Sequence, residues 1–316
     1  MRIVFMGTPD FAVPTLEALI RGGHRVEAVV TQPDKPKGRG KAVLMTPVKE
    51  KALEHGIPVY QPSRIKKDEE FFHILEEIAP DAIVVTAFGQ ILPERILNLP
   101  KYGCINVHAS LLPKYRGSAP IQWAVINGDR ESGVTTMMMD VGLDTGDMLE
   151  RTVVTLDEKE TGGSLFDRLS TAGGELILST LEKAENGTLL RTRQPEEGAC
   201  YAGMLDKALG KINWDMEAEA IERLIRGLNP WPSAYTSYEG KTLKFWDAEV
   251  VPCDDAKVTP EAVNGQIVGV LKDSFLIKTG KGCLKINELQ LEGKKRMDTG
   301  AFLRGYPVKE GTVLGE

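Results

Sequence analysis

Short β-rich runs and helix-spaced stretches take turns along the first half of the chain. This alternation limits the fold more than any other feature of the sequence. RIVFM (2–6) is a strand pattern stopped by Gly7-Thr8-Pro9-Asp10. FAVPTLEALIRGG (11–23) then has helical spacing and a Gly-Gly stop, and VEAVVT (26–31) is strand-like again. TPVKEKALEHG (46–56) predicts a helix ending at Gly56, and IPVYQP a short strand. DEEFFHILEEIAP (68–80) predicts a helix and DAIVVTAFG (81–89) a buried strand. GCINVH is the next strand, APIQWAVINGD (119–129) the next helix, and GVTTMMMD (133–140) is strand-like. Residues 164–185 set Leu165, Leu169, Leu176, Ile177 and Leu181 at the spacing of a long amphipathic helix. Such alternation predicts an α/β fold, a mostly parallel sheet with helices on both faces. In sheets of this kind ligands bind beyond the carboxyl ends of the strands.

The texture changes after residue 190. TRQPEEGACYAG is polar, carries Pro and Gly, and suits a linker. One amphipathic helix follows, EAEAIERLIRGL (217–228), and then SAYTSYE, KTLKFWDAEVV, GQIVGVLK, SFLIKT and CLKINELQL. Short strands broken by turns at this spacing predict a small, OB-like β-barrel. The expected division is a first domain over 1–189, a linker over 190–204 and a second domain over 205–316.

Composition sorts the partners. The net charge is −6, and residues 205–316 contribute only −1 of it. The chain is therefore not drawn to nucleic acid in bulk, and any such contact must use a local basic patch. PDKPKGRGK (33–41) is one candidate, with Lys35, Lys37, Arg39 and Lys41 on a Pro/Gly-rich scaffold, and Lys294-Lys295-Arg296 is another. Cys104, Cys200, Cys253 and Cys283 are far apart and form no C-x-x-C. That spacing reads as reduced cytosolic thiols, with neither a zinc site nor a disulfide framework. MRIVFMGTPD has too short an apolar run for a signal peptide, and no uncharged apolar stretch spans a bilayer. The expected location is cytoplasmic, with no membrane partner and no partner subunit required. Gly7 does not open a dinucleotide fingerprint, because Pro9 and Ala12 replace the later glycines and the second strand ends in Thr31-Gln32 rather than an acid. A tight turn before the first helix is the preferred reading there.

His24, His55 and His73 read as solvated or structural residues, and no two histidines make a metal-ligand pair at helix spacing. No catalytic metal is expected. His108 differs by its company. Asn106 and His108 are two apart in an extended segment, so they share a face. Asp144 stands in the loop VGLDTGD between Gly142 and Gly146, and reaches His108 if the two strands lie close in the sheet. An amide, an imidazole and a carboxylate suit acyl transfer. Positioned donors stabilise the tetrahedral oxyanion, imidazole moves protons near neutral pH, and a carboxylate orients it. No G-x-S-x-G or similar nucleophile motif occurs, which favours direct attack by the acceptor. Spacing alone leaves open that Asn106 and His108 only satisfy backbone groups and that Asp144 only forms a turn.

INVHASLLPKYRGSAPIQWAVINGD together with GVTTMMMDVGLDTGD closely resembles the folate-dependent formyltransferases. The resemblance implies catalytic roles for Asn106, His108 and Asp144. It implies that Ser110, Leu111, Leu112 and Pro113 lie against the folate, and that VVTAFGQILP, with Phe88, Gln90 and Ile91, lies near its pteridine ring. MGTPDFAVPTLEAL, TQPDKPKGRGK and LNPWPSAY are similar to the branch of that family acting on charged initiator tRNA. The resemblance covers nearly the whole chain, is weakest over 250–316, and departs locally at Tyr115 and Ser118. What it implies is a Rossmann-like catalytic domain plus an OB-like tRNA-binding domain. The formyl donor would be 10-formyltetrahydrofolate and the acceptor initiator methionyl-tRNA. Lys35, Lys37, Arg39 and Lys41 would meet the acceptor stem, while Trp231 reads as packing rather than a base platform. Three other readings stay open at this point. They are formyl transfer to a small amine, a nucleic-acid-binding module without activity, and a nicotinamide oxidoreductase.

Overall fold

A computed structural model describes residues 1–37, 42–253 and 261–315. The first half runs β1 (Arg2–Gly7), α1 (Val13–Arg21), β2 (Arg25–Val30), β3 (Lys35–Lys37), β4 (Ala42–Leu44), α2 (Pro47–Glu54), β5 (Val59–Tyr60), α3 (Glu69–Ile78) and β6 (Ala82–Thr86). It continues with α4 (Glu94–Leu97), β7 (Cys104–His108), β8 (Arg116–Gly117), α5 (Pro120–Ile126), β9 (Glu131–Met138), β10 (Met148–Thr155), α6 (Gly162–Glu185) and β11 (Tyr201–Ala202). Local chemistry sets the helix starts. Thr46 accepts a hydrogen bond from the Lys49 amide at the head of α2, and Asp68 accepts one from the Phe71 amide at the head of α3.

Seven strands form one sheet in the order β10-β9-β7-β6-β1-β2-β5. The five from β7 to β5 are parallel, as the alternation predicts. Helices cover both faces. Phe71 and Leu75 of α3 pack with Val4, Met6, Val30, Ile83 and Val85, while Gly173 of α6 approaches Val107 from the other side. The chain moves outward from β1 through β2 to β5, then returns to β6 on the other flank of β1. That reversal puts a crevice at the carboxyl ends of β1 and β6.

β9 and β10 are antiparallel additions to the edge. A parallel strand needs a crossover that returns the chain to the sheet's opposite end. The connection through the short α5 does not return it. β9 starts beyond the carboxyl end of β7 and runs back, pairing Thr135 with His108 and Met138 with Ile105.

The described residues divide into two compact units. The first holds Met1–Pro120, Glu131–Thr155 and Phe166–Ala202, and the second Ile121–Arg130, Leu156–Leu165 and Gly203–Glu316. The contiguous first domain expected over 1–189 thus gives two short segments to the second unit. Their bonds show why. Arg223 donates to the Ile126 carbonyl and Arg226 to the Glu160 carbonyl.

The second unit contains α7 (Ala218–Gly227), β12 (Ala234–Tyr238), β13 (Lys241–Val251), β14 (Ile267–Val270), β15 (Phe275–Lys278), β16 (Cys283–Leu291), β17 (Met297–Asp298) and α8 (Thr299–Gly305). Its sheet is antiparallel, in the order β12-β13-β16-β15-β14, with β17 against β16. Ile221 and Ile225 of α7 join Phe245, Phe275, Ile277, Leu284 and Phe302 in its core. Cys253 and Cys283 form a disulfide, so the expectation of four separate thiols is corrected. A separation of 30 residues hides the pairing in the sequence, but the fold brings their Cα atoms to 5.2 Å. Trp231 is also corrected. It is 55% exposed in the turn between α7 and β12, where the neighbouring Leu228 and Ala234 fill the interior instead. Among the described residues no helix is long and apolar enough to cross a membrane.

Candidate active site

β7 presents Cys104, Asn106 and His108 to one face and Ile105 and Val107 to the other. Cys104 is no nucleophile. Its thiol is buried, donates to the Ile96 carbonyl, and is pushed up by burial to about 12. Asn106 and His108 lie farther along the same face, and Asp144 meets both. The Asn106 amide nitrogen is 3.5 Å from Asp144 Oδ1, and His108 Nδ1 is 3.8 Å from Asp144 Oδ2. The trio read from the sequence is therefore brought together.

The imidazole is fixed from behind. His108 Nε2 lies 2.9 Å from the Tyr115 carbonyl. A carbonyl only accepts, so Nε2 carries the proton and donates it to that bond. Nδ1 is then the nitrogen that faces Asp144. The turn that supplies the carbonyl is itself constrained, with Tyr115 in the left-handed region (φ 59°) and its amide 3.2 Å from Cys200 Sγ. The site is drier than a surface site, since the side chains of His108 and Asp144 are only 7% and 14% exposed. In that setting a positioned donor acts with less dielectric screening.

Asp144 takes a longer route to the site than its partners. The strand before it, β9, ends beside the amino end of β7, where the Met139 amide donates to the Cys104 carbonyl. The loop 139–147 must therefore fold back along β7 to reach His108. Within it Asp144 is left-handed (φ 53°), and its Oδ2 accepts from the Gly117 amide at 2.8 Å. Asp140 ties the loop internally, accepting from the Gly142 amide and the Thr145 hydroxyl.

Two further loops leave the carboxyl ends of neighbouring parallel strands. After β6, Phe88 is buried, and its carbonyl accepts from Thr8 Oγ1 and Gln32 Nε2. Gln90 is used on the Ile65 amide and the Pro62 carbonyl, and Ile91 is 75% exposed. After β7, Ser110 Oγ donates to the Lys114 carbonyl, while Thr135 on β9 donates to the Ser110 carbonyl and accepts from the Leu112 amide. The Leu112–Pro113 bond is cis, and Leu111 packs where Gly133 leaves room. Most of these side chains shape their loops, so a ligand in the crevice would meet backbone and apolar surface. Among the described residues no group of three or more His, Cys, Asp and Glu could hold a metal ion.

The basic loop belongs to the segment between β2 and α2. Lys35 is exposed, Lys35 and Lys37 are on β3, and β3 pairs with β4. Arg39 and Lys41 lie outside the described residues. The hairpin follows β2, which is three strand spacings from β7, about 14 Å. Its root is held by Asp34, which bonds Lys49 Nζ at 2.5 Å and Gln61 Nε2 at 2.8 Å. Those bonds hold the Asp34 carboxyl below the usual carboxylate range.

Sequence reasoning did not single out Gln194 or Arg116, both buried in this unit. Gln194 donates to the carbonyls of Asp144 and Gly146, and Arg116 Nε donates to Gln194 Oε1. Gln194 carries no motif and acts on backbone 48 and 50 residues away, and Arg116, though inside the LLPKYRG run, reaches a side chain 78 residues on. A buried Gln in a polar linker was the only available signal, and burial there was not readable.

The formyl transferase family model matches residues 1–181, and the formyl transferase C-terminal domain model matches 204–307. The chain belongs to the formyl transferase family. It is 58% identical over 316 residues to a methionyl-tRNA formyltransferase of Lachnospira eligens, covering 100% of both chains. It is 57% identical over 314 residues to one from Agathobacter rectalis, covering 99% of each. Solved structures share the fold. An N-formyltransferase from Helicobacter canadensis in complex with folinic acid and dTDP-3-aminofucose is 19% identical, with a TM-score of 0.63 over 90% of this chain and 98% of that one. HypX from Aquifex aeolicus in complex with tetrahydrofolic acid is 16% identical, with a TM-score of 0.62 over 100% of this chain and 51% of that one.

Proposed function

We infer that this chain transfers a formyl group from 10-formyltetrahydrofolate to the α-amino group of methionyl initiator tRNA, giving formylmethionyl-tRNA for translation initiation. The reading rests on full-length identity to methionyl-tRNA formyltransferases together with the approach of Asn106, His108 and Asp144. The amine attacks the formyl carbon, a C–N bond forms, and the bond from that carbon to N10 of the folate breaks. The amine gives up one proton and N10 takes one. Asn106 donates through its amide to the developing oxyanion, since an amide has two N–H groups and Asp144 faces one. His108 Nδ1, with Nε2 already committed to Tyr115, donates to the same centre or carries the proton. Asp144, facing Nδ1, fixes the direction of the ring. The buried Cys104 supports direct transfer without an acyl-enzyme.

The folate is read as lying between the loops after β6 and β7, against Ile91 and the Ser110–Pro113 turn. Lys35, Lys37, Arg39 and Lys41 are read as the tRNA-facing charges. We read the protein as a cytoplasmic monomer. The deciding assay offers the formyl donor with methionyl initiator tRNA, the uncharged tRNA and small amines. Formylation of the charged tRNA alone is expected, and equal or faster turnover of a small amine would overturn the choice of acceptor. Only the neutral amine attacks, so the rate falls at acid pH.

A further inference from the structure

We propose that Gln194 and Arg116 are positioning residues for Asp144, forming a buried clamp that holds the folded-back loop in its reactive geometry. This rests on the reading of Asp144 given above. The loop has a long path and a costly turn. It leaves β9 at the wrong end of β7, and Asp144 adopts a left-handed backbone that a non-glycine residue holds only when its surroundings enforce it. Gln194 supplies that enforcement. Its Nε2 donates to the Asp144 carbonyl at 2.8 Å and to the Gly146 carbonyl at 2.7 Å. Gly146 lies so close to the Met138 carbonyl that a Cβ there would collide with it, so the clamp draws the loop onto the end of β9.

The amide's orientation is itself fixed. Two carbonyls face Nε2 and a guanidinium N–H faces Oε1, so no other arrangement satisfies the three partners. Arg116 Nε donates to Oε1 at 3.1 Å, and the Arg116 side chain is 3% exposed. Gln194 is placed by the bridge between Thr192 and Met148, where each amide donates to the other's carbonyl. Arg116 is placed by β8 and β11, with its amide on the Cys200 carbonyl. The next residue, Gly117, gives its amide to Asp144 Oδ2. A circuit therefore closes: Arg116 holds Gln194, Gln194 holds the backbone of Asp144, and the residue beside Arg116 holds its carboxylate. Two side chains distant in sequence and one main-chain amide control one angle, that of the carboxylate toward His108 Nδ1.

The test uses Gln194→Met, which keeps the length and removes the donors, and Gln194→Glu, which turns a carboxylate toward two carbonyl oxygens. In the full-length protein kcat for formyl transfer is expected to fall roughly tenfold or more in each, with KM for both substrates within about twofold, because the transition-state geometry suffers more than binding. Hydrogen exchange at the Gly117 amide supplies a readout that needs no activity. It should quicken in both variants, while amides of β1 and β6 keep their protection and the melting temperature changes little. A merely structural role would lower the melting temperature and loosen the whole sheet together. An unchanged Gly117 amide, or kcat within about twofold of the parent, overturns the clamp. An inactive parent protein overturns the formyl-transfer reading instead, and the exchange measurement still decides the clamp.

Discussion

The corner built by β7 and the Asp144 loop contrasts with the hairpin of β3 and β4. In the corner the key polar groups are held by short-range bonds. His108 bonds Tyr115, Asp144 bonds Gly117, and both side chains are largely shielded from water. In the hairpin Lys35, Val43 and Leu44 face outward, and the root is tied to the fold through Asp34. The two regions answer different physical demands. Stabilising a short-lived oxyanion requires donors that are already in place. Attracting a polyanion requires charge that solvent and ligand can reach, and such charge acts over a Debye length without a fixed geometry.

Substitutions can break or sharpen this contrast. The largest loss belongs to the corner. Asn106→Ala and His108→Ala should each lower formyl transfer by roughly 10²–10³-fold while tRNA affinity holds, as read by single-turnover rates and filter binding. Near-normal rates with normal binding would remove both residues from the mechanism. Asp144→Asn keeps the shape but loses the charge facing Nδ1, and about a 10²-fold fall in kcat is expected. A loss confined to KM would instead make Asp144 a binding residue. On the hairpin the effect should be smaller and of another kind. Lys35→Ala is expected to weaken tRNA binding several-fold and to reduce the slope of log affinity against log salt by about 1, leaving saturated turnover intact. A lower kcat with an unchanged slope would erase the distinction between the regions. The smallest effect concerns the root. Lys49→Met should cost about 1 kcal/mol at neutral pH by urea denaturation. The Asp34 carboxyl titrates lower in the folded protein than its ordinary 3.8. The stability this pairing supplies is therefore present above that value and lost as pH falls through the folded value, so parent and variant should converge in acid. A gap that persisted in acid would assign it to the lost lysine stem.

How much of this the sequence discloses follows the range of the interactions. The i, i+2 pairing of Asn106 and His108 is a local property of an extended chain, and the structure keeps it. Helix starts at Thr46 and Asp68 are equally local. The core of the C-terminal unit is foreshadowed by alternation, and KTLKFWDAEVV and CLKINELQL coincide with β13 and β16. The direction of β9 was not legible, because strand composition does not encode whether the connection before it returns to the opposite end. The Cys253–Cys283 bond, the Gln194–Arg116 pair and the transfer of Ile121–Arg130 to the second unit depend on packing between distant segments. His24 shows the same limit. It reads as solvated after Gly22-Gly23, yet it is half-buried beside the terminal amino group of Met1, and burial followed by that charge lowers its pKa.

The bond from His108 to the Tyr115 carbonyl sets a condition on portability. An engineer moving the trio to another scaffold could copy three side chains and still inherit an imidazole with its proton on the wrong nitrogen. The transplant would have to carry the seven-residue turn as well, because the acceptor that selects the tautomer is part of the main chain. Mutagenesis of side chains alone cannot supply or delete it, so this part of the chemistry belongs to the course of the backbone.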